Sequence, residues 1–247
     1  MKKILIIALI LSSIQLFAQT NEGIVHYTRT TYWTKMNNQL SYISKQEKER
    51  MTYMFAGKDD WKVYTTLYFN ENESRYIDSD EKPEEDQGYS GRKEEFSVNR
   101  NFAKNTMTDV FEMLGKTYII EDSLQMPNWK ILNDIKEVAG HICMKAMIED
   151  PIKNQKIIAW FAQDIPINAG PERLWGLPGM ILELDINDGT VTIIASKIEF
   201  KKLNQELALP KKLKGKKITE AEYKDMQIKF IKEKTKEERN PFWFLRY

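Results

Sequence analysis

The sequence predicts a mainly β fold, an α+β arrangement in which a curved antiparallel sheet or partial barrel carries a C-terminal amphipathic helix. Three observations support this prediction. Short segments of alternating apolar and polar residues recur along the chain, turn-forming residues separate them, and a helical repeat of apolar residues occurs near the end. Because 11% of the residues are aromatic, large apolar side chains are available to fill the core.

The strands are predicted from alternation and from turn residues. The first strand begins at Gly23 and alternates as far as Trp33. The clearest hairpin joins residues 180–186 to residues 190–200 through Asn187-Asp188-Gly189, because Asp-Gly tolerates the positive φ angles of a tight turn. Further strands are predicted at residues 51–55, 62–69, 74–78, 116–121, 129–132, 140–149 and 156–161.

Four stretches receive other assignments. Residues 79–101 are rich in charged and small residues, which is typical of a long loop, and residues 108–114 are predicted to form a short helix. Thr219-Glu220-Ala221-Glu222 forms a capping box, so an amphipathic helix is predicted to begin there and pack on the sheet. The aromatic residues 240–247 are predicted to dock as a final strand, with exposure to a partner as the alternative.

Residues 1–18 have the three parts of a cleavable signal peptide. Lys2 and Lys3 form a positive segment, residues 4–11 form an apolar run, and Ala18 offers the small residue that signal peptidase requires. The apolar run is shorter than the roughly twenty residues that span a bilayer. We therefore expect a domain at residues 19–247 that is periplasmic or secreted after cleavage near Ala18, with no integral membrane anchor.

Composition limits the classes of function. Loss of Lys2 and Lys3 changes the formal charge from +1 to −1 (+1 − 2), so no chain-wide attraction to nucleic acid is expected. Cys143 is the only cysteine and cannot form an internal disulfide, so burial must supply the stability. The sequence has no phosphate-binding glycine pattern, and we predict no cofactor.

The most distinctive stretch, residues 159–184, contains three prolines and three glycines between two predicted strands. Prolines fix φ and glycines permit unusual conformations, so a connection of one defined shape is expected, with Trp175 and Leu177 packing its base onto the sheet. This stretch resembles the GLPGLI family, secreted proteins of Bacteroidetes-type bacteria, through the run Gly176, Leu177, Pro178, Gly179, Met180 and Ile181. Met180 stands where the family has leucine. The resemblance implies an exported β-rich protein and no particular reaction.

Two groups of residues are candidate sites. His141 and Cys143 share one face of their strand. One interpretation is a metal site, with Met147 or His26 assisting, and another is a nucleophilic thiol. A half-buried structural face is the alternative to both. An apolar groove for a peptide or lipid is a second interpretation, and packing of the loop is its alternative. The groove would be lined by Trp160, Phe161, Trp175 and Leu177. We assign no catalytic residue and no metal ligand.

The sequence favours a non-catalytic binding or cell-envelope protein whose partner is a peptide, a lipid or an envelope protein. A secreted hydrolase or metal-handling protein using the face of His141 and Cys143 is the alternative. An apolar pocket beside Trp160 or Trp175 would favour binding. A buried Cys143 that resists thiol reagents would exclude the alternative.

Overall fold

A computed structural model describes residues 21–55, 59–79 and 95–247 of the chain. The predicted signal peptide and residues 80–94 of the predicted loop lie outside these ranges. The described part contains three α-helices, α1 (Trp33–Gln39), α2 (Lys45–Met54) and α3 (Glu220–Lys236), and a 3-10 turn at Pro241–Trp243. Its strands are β1 (Gly23–Tyr32), β2 (Asp60–Phe69), β3 (Glu73–Asp78), β4 (Phe96–Asn101), β5 (Thr106–Met113), β6 (Lys116–Ser123), β7 (Lys130–Val138), β8 (His141–Asp150), β9 (Gln155–Ala162), β10 (Met180–Ile186), β11 (Val191–Phe200) and β12 (Lys216–Ile218).

All twelve of these strands form one open sheet in the order β12-β6-β5-β4-β3-β2-β1-β11-β10-β9-β8-β7. The pairs are antiparallel except for β12, which runs parallel to β6. From central β1 the chain meanders outward through β2 to β6, crosses to the opposite edge at β7, and returns through β11 to pair with β1. The mainly β fold with a C-terminal helix, predicted from the sequence, is confirmed.

The crossover from β6 to β7 requires the sheet to be strongly curved. Only residues 124–129 separate the two strands, and an extended segment of that length reaches about 24 Å between the strand ends. In a flat sheet the ten strand spacings from β6 to β7 would measure about 48 Å. The two halves of the sheet therefore bend toward each other and enclose one face, which we call the inner face.

Alternation places the core on this inner face. Tyr27 of β1 lies opposite Thr65 of β2 and Ala195 of β11, and its ring packs edge-on against Tyr76 of β3. The same side of β9 presents Phe161, which is fully buried. Helix α3 packs against β5, where the ring centroids of Tyr223 and Phe111 lie 4.5 Å apart.

Two assignments on the sheet were wrong for one physical reason. The predicted loop at residues 79–101 contains strand β4, and the predicted helix at residues 108–114 is strand β5. In each strand a charged residue, Arg100 or Asp109, occupies an inner position where alternation calls for an apolar one. The two side chains are buried together as an ion pair, so the strands form although their sequences do not alternate cleanly.

Two further boundaries differ from the prediction. Residues 51–55 belong to helix α2 and its C-cap, because the hydroxyl of Ser44 accepts a hydrogen bond from the amide of Glu47 and caps the first turn. The first strand ends at Tyr32, and Trp33 begins helix α1. No helix within the described ranges has both the length and the apolar character needed to cross a membrane.

The C-terminal region confirms one prediction and corrects another. Thr219 and Glu222 form the predicted capping box at the start of α3. The aromatic terminus docks as expected, but as a 3-10 turn followed by irregular chain instead of a strand. Phe242 and Tyr247 are buried there, while Phe244 remains exposed.

Residues 163–179, which we call the motif loop, connect β9 to β10 and pack tightly at their end. Gly179 has a φ of 150°, and a Cβ atom at this position would collide with the carbonyl group of Ala162. The amide of Met180 then donates to the carbonyl of Ile165 at 2.9 Å, which holds the two ends of the loop together. Leu177 is buried beneath them.

We predict that Gly179→Ala lowers the free energy of unfolding by roughly 3 kcal/mol, because strained backbone and steric overlap act together. Gly140 is the matched control, since its φ is 83° but no atom lies within 4 Å of an added Cβ. Gly140→Ala should cost only about 1 kcal/mol. Urea denaturation of both variants measures the difference, and equal losses would show that the contact with Ala162 is unimportant.

Candidate functional site

The motif loop carries two charged residues, Glu172 and Arg173, onto the inner face of the sheet. Glu172 has a φ of 58°, a conformation that residues with a side chain rarely adopt. This conformation lets the two neighbours reach different partners. Glu172 faces β1, β3 and the C-terminus, while Arg173 faces β5 and α3.

Glu172 belongs to a four-residue ion cluster. Arg246 donates to both oxygens of Glu172, at 2.7 and 2.9 Å, and to both oxygens of Asp78, at 3.1 and 2.9 Å. The Nε atom of Arg29 lies 3.3 Å from Glu172, and the guanidinium of Arg246 also stacks 3.7 Å from the ring centroid of Phe96. Two cations thus balance two anions.

Arg173 belongs to a second cluster of the same composition. Its Nε atom donates to Asp109 at 2.7 Å, and its Nη2 atom donates to Glu220 at 2.6 Å. Arg100 donates to the other side of Asp109 through both terminal nitrogens. This cluster connects the motif loop to β4, β5 and the first turn of α3.

Burial and the arginines have opposite effects on the acids of these clusters. Burial alone would raise the pKa of Glu172, but Arg246 and Arg29 outweigh it and hold that pKa below its ordinary value of 4.5. The pKa of Asp109 is lowered in the same way by Arg100 and Arg173, against the effect of burial. Both acids are therefore charged at neutral pH and hold the motif loop in place.

A cleft of about 840 Å³ lies beside the first cluster, at the ends of two hairpins. One wall consists of residues 149–156, around the β8–β9 turn, with Asn187 and Asp188 of the β10–β11 turn. The rest of the cleft is lined by residues 39–42, part of α3 and the aromatic C-terminus. Asn187 joins these walls, because it donates to Tyr247 at 2.6 Å and accepts from Gln39 at 2.9 Å. A volume in this range suits a small ligand.

Two hydrogen-bond donors in the cleft wall retain unused capacity. The ammonium of Lys153 donates to the backbone carbonyl of Arg246 at 2.8 Å, and no carboxylate of the described residues lies within the 4 Å of an ion pair. Gln155 is 4% exposed, and its amide nitrogen has no hydrogen-bond partner within the described part of the chain. Burial of such groups without partners costs free energy, which is typical of sites that a ligand completes.

Burial lowers the pKa of Lys153 to about 8. Asp150 and Glu172 raise it, whereas Arg173 and Arg29 lower it, so the nearby charges offset the effect of burial only in part. A smaller cavity, of about 490 Å³, lies between α2 and the end of α3. Its cations are already paired, Arg50 with Glu47 and both Lys234 and Arg239 with Glu237.

The structure separates the residues proposed for metal binding or nucleophilic chemistry. Cys143 is fully buried, burial raises its pKa to about 11, and its thiol donates to the carbonyl of His141 at 3.6 Å. The ring of His141 binds Asp164 at 2.7 Å. His26 lies four strands away, at about 19 Å by strand spacing, and pairs with Glu199. Within the described ranges no three His, Cys, Asp or Glu side chains form a metal-binding group.

The four residues proposed for an apolar groove do not meet on one wall. Trp160 and Phe161 are consecutive in β9 and point to opposite faces of the sheet, and Lys136 covers the ring of Trp160 at 4.5 Å. Leu177 is buried, and Trp175 packs against Phe102 at 5.8 Å. The GLPGLI-like run itself, residues 176–181, turns from the loop into β10 and exposes no reactive group.

The chain has a curved β sheet and a polar cleft. It is similar in sequence to one protein family and in fold to a group of solved structures. A family described as a protein of unknown function (Porph_ging) matches residues 149–183, which include the hairpin side of the cleft and the motif loop. The GLPGLI resemblance stays a prediction. No curated protein matches the sequence.

Among solved structures, PNGF-II in two crystal forms aligns with TM-scores of 0.54 and 0.55. The sequences are 13% and 14% identical, and the alignments cover 83% of this chain. The chain spans about a third of the length of PNGF-II, since 32% of that chain is covered. At this identity the similarity concerns the fold alone.

Sequence reasoning missed the cleft residues because no motif contains them. Lys153 and Gln155 lie in an ordinary polar turn, and Asn187 was recognised only as a turn residue. Glu172 and Arg173 carried a usable signal, since a Pro-Glu-Arg run inside a proline- and glycine-rich loop places charges where the chain is most constrained.

We predict that Glu172→Gln lowers the free energy of unfolding by about 3 kcal/mol, because Arg29 and Arg246 then face a neutral amide while still buried. Glu121, in an exposed pair with Lys217, is the control, and Glu121→Gln should cost less than about 1 kcal/mol. The Glu172 pKa is lowered in the folded state, so its stabilisation is present above pH 4.5 and is lost as the pH falls further. The free energy of unfolding, measured by denaturation at pH values down to 3, should therefore fall less steeply with decreasing pH for Glu172→Gln than for the wild type. Equal pH dependence of the two proteins would contradict this.

We predict that the Lys153 ammonium titrates near pH 8 in the ligand-free protein. Between about pH 8 and the ordinary value of 10.5 the unfolded chain binds more protons at this residue than the folded chain does. The contribution of Lys153 to the free energy of unfolding therefore increases as the pH rises through this window. Nitrogen-detected NMR titration of the lysine side chains measures the pKa, and a value near 10.5 would contradict the prediction.

Proposed function

We propose that this chain is an exported, non-catalytic binding protein and that the cleft beside the β8–β9 turn holds its ligand. The signal-like residues 1–18 support export, with cleavage near Ala18 and a single domain at residues 19–247. A GLPGLI-like protein in the periplasm or outside the cell is consistent with that leader.

The observation that carries the binding proposal is the state of Lys153. Lys153 is half-buried in the cleft wall, and among the described residues its ammonium has only a backbone carbonyl as hydrogen-bond partner. Partial burial of an ammonium that has no counter-charge in direct contact costs free energy. A ligand that accepts hydrogen bonds from the ammonium would offset this cost, which is typical of a binding site.

A binding role also agrees better with the geometry than catalysis does. The buried thiol of Cys143 is protonated at neutral pH, and its neighbour His141 is engaged by Asp164. Within the described residues the acids of the ion clusters are bound by arginines at both oxygens, which leaves them unable to act as bases. The cleft supplies donors and acceptors, without an activated nucleophile next to a base.

Native purification from the producing cell, followed by mass spectrometry of small molecules released on denaturation, tests the proposal. We expect a stoichiometric small molecule with the wild type and less than a tenth of that amount with Lys153→Met. Lys156→Met is the matched control, since Lys156 is exposed and lines the same cleft. A wild-type protein that carries no molecule would contradict a ligand-binding role.

The intact mass of the same preparation tests export. A chain that begins directly after Ala18 is expected, and a chain from the envelope fraction that retains residues 1–18 would contradict cleavage.

A further inference from the structure

We propose that the ligand carries a carboxylate and that Lys153 and Gln155 bind this group in the cleft. The inference rests on the proposed binding function and names the chemical class of its ligand. It is carried by the arrangement of donors and acceptors around the β8–β9 turn.

Both residues line the cleft and carry donors with unused capacity. The ammonium of Lys153 has three protons, and the carbonyl of Arg246 accepts one of them. The amide nitrogen of Gln155 contributes two more N–H groups without a partner in the described structure. Its terminal torsion is soft, so these N–H groups can turn toward a ligand at little cost.

An acceptor-only group with charge is the complement of these donors. A carboxylate has two oxygens, so it can accept from the ammonium and from the amide at once, and the pairing of opposite charges strengthens both bonds. A neutral hydroxyl or amide would leave the ammonium without a counter-charge in direct contact, since Asp150 and Glu172 act on it only from beyond ion-pair distance.

The acids that line the cleft do not oppose this orientation. Asp150 is committed to the turn, where its Oδ1 atom accepts from the amides of Ile152 at 2.8 Å and Lys153 at 3.2 Å. Glu149 and Asp188 are exposed to solvent, which screens their charges. The free donors of Lys153 and Gln155 therefore remain available to an anion, and amides and hydroxyls line other parts of the cleft.

Acetate and acetamide form a matched pair of probes, since they have similar shapes and differ in charge. We titrate each into the isotope-labelled mature protein at constant ionic strength and follow the side-chain resonances of Lys153 and Gln155. Acetate is expected to give saturable shifts at both residues, with an affinity at least tenfold higher than that of acetamide. Absence of saturation with acetate, or equal affinity for acetamide, would overturn the inference.

Variants locate the site within the cleft. Lys153→Met should weaken acetate binding at least tenfold, and Gln155→Met should weaken it about threefold. Lys156→Met, which removes an exposed cation of the same cleft, should weaken it less than twofold. If Lys153→Met does not fold, the acetate and acetamide titrations of the wild type still decide the question. Equal weakening by Lys153→Met and Lys156→Met would indicate general electrostatic attraction and overturn the assignment.

Larger probes distinguish the sources of the carboxylate. N-acetyl-alanyl-alanine and its C-terminal amide represent a peptide end, whereas glucuronate and glucose represent a sugar acid. The acid that binds more tightly than acetate identifies the source, because additional contacts in the outer cleft add affinity. If the co-purifying molecule proves to be neutral, the carboxylate inference fails while the proposed binding function stands; if no molecule co-purifies and no probe binds, both fail.

Discussion

The fold depends on one interaction, the pairing of Glu172 with Arg246 and Arg29 on the inner face of the sheet. Arg29 comes from the central strand β1, Arg246 from the C-terminus, and Glu172 from the motif loop, so the contact joins parts of the chain that are far apart in sequence. A buried guanidinium is tolerated only when its charge is balanced and its donors are used. Glu172 provides that balance from a backbone conformation that would otherwise be unfavourable. The close packing of Gly179 against Ala162 fixes the end of the motif loop and thereby the position of Glu172.

This ion cluster also positions the candidate site. The guanidinium of Arg246 is held by Glu172 and Asp78, and the backbone carbonyl of the same residue accepts the hydrogen bond from Lys153. The lysine in the cleft is thus attached to the most constrained part of the inner face. A donor held in this way loses little side-chain entropy when a ligand binds. The cleft lies at hairpin ends, where short loops on a rigid sheet commonly carry binding residues.

Sequence reasoning succeeded where local rules determine the structure. The Asn187-Asp188-Gly189 turn has positive φ at all three residues, and the capping box at Thr219 forms as its residues predict. It failed at β4 and β5, because two strands that bury Arg100 and Asp109 as an ion pair have no clean alternation to detect. The cleft could not be predicted either, since residues 39–42, 149–156, 187–188 and the C-terminus meet only after the sheet has curved. Burial of charge in pairs is a property of two distant segments, and neither segment alone encodes it.

The most recognisable sequence feature and the candidate site therefore have different physical roles. In the run of residues 176–181 the glycines permit close backbone approach and the apolar residues fill the core, so its distinctiveness reflects packing. The two cleft side chains with unused hydrogen-bonding capacity, Lys153 and Gln155, lie instead in residues 149–156, a turn of ordinary composition. Strand β9 and most of the motif loop separate these two segments in sequence. Arg246 nevertheless connects the motif loop to the turn, because it contacts Glu172 of the loop and Lys153 of the turn. A substitution that loosens the motif loop should accordingly weaken the cleft as well, because the carbonyl that orients the lysine belongs to the arginine that the loop holds in place.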